Sequence, residues 1–158
     1  MGEKPTAAES MLALSDVLFE EGRLPESEQF ARSALPDLPL ANVMLCRIAI
    51  GRKDVAAASR YLRDLKSDDD ALVALLNAKL ALASGKPSVA ITQLTQLEKK
   101  LSTKIAVPMQ FEVRLALIEA KLTAKQDAKS EIESLEWDAT QKGFGLIARK
   151  AAALKAAT

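Results

Sequence analysis

The chain has 158 residues, with 22 Lys and Arg against 21 Asp and Glu and a net charge of +1, a balance that argues against a nucleic-acid role. It is 49% hydrophobic with only 4% aromatics and six each of Gly and Pro, which predicts one all-α domain of helices packed through small residues. There is no His, the commonest general base and metal ligand, and one Cys, so no internal disulfide can form and a reducing, cytoplasmic setting is the expectation.

The start, MGEKPTAAES, has no apolar stretch of the signal-peptide kind. Met1-Gly2 with Thr6 fits a lipidation pattern formally, but the pattern is short enough to arise by chance. The first helix is predicted from Thr6 to Glu21, stopped by Gly22-Arg23-Leu24-Pro25. The second runs from Glu26 to Leu35 and ends at Pro36 and Pro39, and the third from Leu40 to Ile50, ended by Gly51-Arg52-Lys53-Asp54. A fourth spans Val55–Lys66. The run Asp68-Asp69-Asp70 then caps the fifth, Ala71–Ser84, with acid at a helix N-terminus; its spacing lacks the central Gly and distal Glu of a calcium loop. Within the fifth helix ALVALLNAKLALA is broken by Asn77 and Lys79 and is too short to cross a bilayer, so no membrane partner is expected.

Ser84-Gly85-Lys86-Pro87-Ser88 holds a Gly-Lys pair of the kind found in phosphate loops. Such a loop needs a second Gly at position 80 and a hydroxyl after the Lys; Leu80 and Pro87 stand there instead. Gly85 therefore ends one helix and Pro87 begins the next. Helix six is predicted over Ser88–Leu101, helix seven from Pro108 to Ala124, helix eight from Asp127 to Gln141, and a last helix beyond Gly143 to Ala156. No segment alternates as a strand does.

The helices repeat. In EQFARSAL, ASRYLRDL and AITQLTQL the small residues Ser27, Ala58 and Ala90 recur at steps of 31 and 32, each followed by apolar residues four and seven places on. The preceding helices agree, with Ser15, Cys46 and Ala78 at one place. This pattern resembles the tetratricopeptide repeat, whose small-residue places these six residues occupy, with Pro39 at its terminal Pro. Met11, Ala41 and Ala74 replace the large aromatics of that family, and the register of 109–141 is not fixed. The resemblance implies a right-handed α-solenoid of antiparallel helix pairs over 6–39, 40–67, 70–101 and 108–141, capped by 144–156 with Trp137 and Phe144 in the core. The chain also looks like the C-terminal solenoid of larger bacterial regulatory proteins.

Catalytic constellations are poor. Cys46 has no His to activate it and lies on an apolar face, where it reads as a small hydrophobe. Lys99-Lys100 and Arg149-Lys150 lack aromatic neighbours for stacking on bases. No catalytic, cofactor-binding or metal-binding residue is assigned, and the expected function is a non-catalytic one. First helices would line the concave surface, placing Leu12, Asp16 and Phe19, then Val43, Arg47 and Ile50, then Leu75, Lys79 and Leu82 toward it. The candidate partner-binding residues are Leu12, Asp16, Phe19, Arg47, Lys79 and Leu82, and Arg47 and Lys79 favour a peptide or helix of acidic character with one apolar anchor. The family's peptide-carboxylate clamp needs Lys and Asn where Leu12 and Asp16 stand, so that use is not expected. Residues 1–40 carry three basic and eight acidic side chains and the remainder nineteen and thirteen. That asymmetry leaves a second reading, a regulatory or oligomerisation segment of a larger bacterial protein that pairs copies of itself.

Overall fold

The computed structural model describes residues 4–65, 70–101 and 107–157. Among the described residues there are nine α-helices and no strand, as the all-α expectation requires. They are α1 (Ala7–Glu20), α2 (Leu24–Ala34), α3 (Ala41–Gly51), α4 (Val55–Asp64), α5 (Asp70–Ala83), α6 (Pro87–Leu101), α7 (Val107–Thr123), α8 (Lys129–Gln141) and α9 (Gly145–Ala156). Two starts differ from expectation. Pro25 lies inside the first turn of α2 rather than before it, where its missing N–H costs nothing. The start of α8 is delayed to Lys129, whose N–H is taken by Asp127 Oδ1 at 3.0 Å. The proposed caps Asp68 and Asp69, and Lys66, lie outside the described residues; Asp70 stands in the first turn of α5.

Five of the helices end in the same way. Residues Gly22, Lys53, Gly85, Lys125 and Gly143 take φ of 76°, 59°, 74°, 58° and 78°. At the first, Gly22 N–H donates to Phe19 O at 3.0 Å and Arg23 N–H to Leu18 O at 2.9 Å. The same two bonds recur at the other four turns. This left-handed closure satisfies the last carbonyls of α1, α3, α5, α7 and α8 and turns the chain back on itself. Gly85 and Pro87 thus end α5 and open α6 as expected. At Lys53 and Lys125 the chain holds a side chain in a conformation that glycine adopts without penalty.

The chain divides into two compact units, Met1–Leu76 and Asn77–Thr158, with the division inside α5. In the first, α1 packs on α2 and α3, α2 on α3, and α3 on α4. Its buried core includes Leu18, Met44, Leu45 and Ile48. Small residues mark the crossings: Ser15, Ser27, Cys46 and Ala58 are all fully buried. Ser15 Oγ donates to Ser27 O at 2.7 Å, Ser27 Oγ donates to Ser15 O at 2.7 Å, and the two hydroxyls lie 3.0 Å apart. One crossing further on, the Cys46 thiol points at Ala58 O at 3.6 Å. In the second unit Ala78 and Ala90, the third pair of the series, are likewise fully buried.

The second unit packs α6 on α7 and α9 on both α7 and α8. Its core gathers Phe111, Leu115, Ile118, Ile132, Leu135 and Ile147, with Phe144 edge-on to Phe111 at 4.9 Å between ring centroids. The left-handed residue Lys125 gives a point from which to count along α7 and α8. Ser15, Cys46 and Ala78 stand seven residues before their left-handed residues, and the same step back from Lys125 reaches Ile118. With α8 starting two residues late, the counterpart of Ser27, Ala58 and Ala90 is Ile132. Isoleucines stand here in place of small residues, and α7 packs on α8 less extensively than α1 on α2. Trp137 is not core as expected: it is 66% exposed. On α8 the buried positions are Ile132, Leu135 and Ala139, and Trp137 falls on the opposite side of that stripe.

Candidate functional site

The first unit carries an open groove of about 500 Å³ along α1 and α3. Its formation starts with α1, whose N-terminus is held by Thr6 and Glu9: Thr6 N–H donates to Glu9 Oε2 at 2.7 Å and Glu9 N–H to Thr6 Oγ1 at 3.2 Å. These bonds, the backbone one first, draw the Glu9 carboxyl below the usual carboxylate value. Two helical turns of α1 then point Leu12 and Asp16 into the groove. The opposite wall is Leu40, Val43 and Met44 at the start of α3, with Leu38 from the loop before it and Leu72 from the first turn of α5. Leu40 is 51% exposed, in a unit that otherwise covers most of its leucines. The two prolines, Pro36 and Pro39, keep this loop out of a helix, so Leu38 and Leu40 project without helical neighbours to cover them.

Arg47 closes one end. Its Nη1 donates to Asp16 Oδ1 at 2.6 Å and its Nη2 to Glu20 Oε1 at 3.1 Å. The guanidinium also lies over the Phe19 ring, 4.7 Å from the centroid. Arg47 therefore joins α3 to α1 through two carboxylates and an aromatic face. Two ion pairs sharing one cation exceed the usual ~0.2–1 kcal/mol of an isolated surface pair only modestly, since Asp16 remains more than half exposed.

The residues expected to contact a partner separate between the two units. Leu12, Asp16, Phe19 and Arg47 come together in the first. Leu12 is also packed on the small cluster of Ala8, Ala34 and Ala41. Lys79 and Leu82 belong to the second unit, where Lys79 Nζ lies 3.4 Å from Glu112 Oε2 and Leu82 is half-buried. Burial pushes the Glu119 carboxyl above its ordinary value, opposed by Lys79 and Lys150 and reinforced by Glu112. Leu75, expected to face a groove, is instead 4% exposed and part of the core. The sequence reading missed Glu9, Leu38, Leu40, Met44 and Glu20. The signal for Leu40 was on the page as Leu38-Pro39-Leu40, two leucines around a proline, and for Glu20 as an acid one helical turn after Asp16.

A second cavity, of about 330 Å³, lies in the second unit between α6, α7 and α8. Charged and hydroxyl side chains line it beside Leu117 and Ile118, and its two cations are engaged: Arg114 Nη1 with Asp138 at 2.7 Å and Lys121 Nζ with Glu131 at 2.5 Å. Cys46 is buried and its thiol is pushed up to about 11 by that burial. Among the described residues no group of His, Cys, Asp and Glu side chains is arranged to hold a metal ion, and no helix is long and apolar enough to cross a membrane. No family model, curated protein or solved structure matches the chain.

Proposed function

We infer that the chain is a non-catalytic protein-interaction module of the α-solenoid kind, its antiparallel helix pairs resembling tetratricopeptide repeats, which holds a partner peptide or helix on its first helices. The observation that carries this reading is the open aliphatic groove of Leu12, Leu38, Leu40, Val43 and Met44. Contiguous exposed apolar surface with a charged rim marks a place where another molecule sits. The reading gives Lys79 and Leu82 the same role in their own unit, at the equivalent place of the next helix pair. Its setting is the cytoplasm, in keeping with a single, buried cysteine.

The test is site-specific photo-crosslinking in extracts of the source cell. A crosslinker at Val43 is expected to capture one defined protein, and one at the exposed Val89 on α6 none. Capture at Val89 and not at Val43 would move the site off the groove.

The charge distribution favours a second reading, a regulatory segment that pairs copies of itself. The first unit carries nine basic and thirteen acidic side chains and the second thirteen and eight, balances of −4 and +5. Sedimentation at low and high salt distinguishes the two: a dimer that dissociates with salt supports pairing, and a monomer at both supports the module.

A further inference from the structure

We propose that the occupant of the first unit's groove is a basic amphipathic helix, one that places a leucine-sized side chain between α1 and α3 and a Lys or Arg beside Glu9 and Asp16. This rests on the reading of that groove as a peptide-binding site and adds the conformation and charge of what binds.

The charge follows from what Arg47 is already doing. By sequence, Arg47 looks like a free cation that would call for an acidic partner. In the fold both of its terminal nitrogens are engaged, by Asp16 at 2.6 Å and Glu20 at 3.1 Å, and its face is stacked on Phe19. Its charge is already shared between two carboxylates of the same unit, and Nη1 also lies 3.6 Å from the Met44 sulfur. The groove lining then holds Glu9 and Asp16 against one cation, Arg47, which Glu20 also pairs. Asp16 has a side chain 54% exposed, so one carboxylate oxygen remains open to a partner's ammonium or guanidinium. The whole unit carries the same sign, −4, and its field would draw in a basic segment and slow an acidic one. An acidic occupant would compete with Asp16 and Glu20 for Arg47 while lying against their charge.

The conformation follows from the walls. Both are helices, α1 and α3, whose backbone groups are used internally. They present no unpaired strand edge, so an extended peptide would find no backbone partners and would leave its own N–H and C=O groups to water or unsatisfied. A helix brings its backbone bonds with it and needs only an apolar stripe to match. The groove supplies that match with aliphatic side chains alone, and the half-exposed Leu40 keeps it shallow and open. A small molecule, which needs most of its surface enclosed and a few convergent polar groups, is a poorer fit.

The experiment uses two labelled helix-forming peptides with leucines at i, i+3 and i+7, identical except that one carries Lys and the other Glu flanking the central leucine. Binding to the full chain is measured by fluorescence anisotropy at low and at physiological salt. The expected result is at least tenfold tighter binding of the Lys peptide at low salt, an advantage that shrinks as salt rises and falls away in Asp16→Asn with Glu9→Gln. Leu40→Ser should weaken the Lys peptide by about tenfold; Leu40 precedes α3 and packs little, so this variant keeps its fold, which a circular-dichroism melt verifies. Equal or reversed preference, with Leu40→Ser still weakening binding, would overturn the basic-helix inference and leave the groove as a binding site. Binding of neither peptide, or binding indifferent to Leu40→Ser, would overturn both.

Discussion

The packing of α1 on α2 and that of α7 on α8 follow the same left-handed turn and are made of opposite materials. At the first, two serines are fully buried and each hydroxyl donates to the other residue's carbonyl. At the second, Ile118 and Ile132 are buried at 2% and 1% exposure in one apolar cluster. Small side chains let α1 and α2 approach until backbone carbonyls come within reach of side-chain hydroxyls. Bulky ones stand in α7 and α8, and α9 packs on both to complete their core. One turn geometry thus serves a hydroxyl-bonded packing and an apolar one.

The comparison can be broken by exchanging sizes. Ile132→Ala should cost about 2–5 kcal/mol, since a large, fully buried side chain is removed from the core of the second unit. Urea denaturation measures it, and a loss under about 1 kcal/mol would show that Ile132 does not fill the crossing. The converse change, Ala58→Leu, should cost about 1–3 kcal/mol by overpacking, and Ala90→Leu a similar amount. A melting temperature within a degree of the parent for either would mean that the small residues do not mark close contacts.

A finer exchange sharpens the polar half. Ser27→Ala removes one donor and should cost about 1 kcal/mol, because Ser15 Oγ keeps Ser27 O as an acceptor. Ser15→Cys added to Ser27→Ala rebuilds the chemistry of Cys46 and Ala58, and the pair should cost less than the two single changes together. Strict additivity in a double-mutant cycle would show that the hydroxyls are independent of each other.

The smallest effect concerns Cys46 itself. Burial raises its thiol from 9.0 to about 11, so the folded chain holds that proton more tightly than the unfolded one. Stability from this group is complete below about pH 9 and declines as pH rises toward 11. At neutral pH a thiol reagent should modify the native chain far more slowly than the urea-unfolded chain. Equal rates would place the thiol at the surface.

The helices were legible in the sequence because their ends are written in residues with narrow backbone preferences. Gly22, Gly85 and Gly143 mark left-handed turns and Pro25 and Pro87 mark first turns. The small-residue places were legible for three pairs because Ser, Cys and Ala recur there at fixed steps. The fourth was hidden by two features. Its left-handed residue is Lys125, which carries no turn signal, and Asp127 delays the next helix by two residues. The groove was half legible. Leu12, Asp16 and Arg47 follow from helical spacing, but that Arg47 is held by Asp16 and Glu20 depends on how far apart α1 and α3 lie, a distance no periodicity contains. Leu40 sits in a proline-bounded loop where no period applies. Trp137 misled because a lone large aromatic is usually core, and only the stripe of Ile132, Leu135 and Ala139 shows which side of α8 is covered.

The exposure of Trp137 has an optical consequence. It is the only tryptophan in the chain, and as a residue 66% exposed to solvent it already sits in nearly the environment that unfolding would give it. Intrinsic tryptophan emission should therefore change little as the helices melt, while the helical circular-dichroism signal collapses. The same indole would respond sharply to any molecule laid across α8, which makes it a silent reporter of folding and a native sensor for that one face.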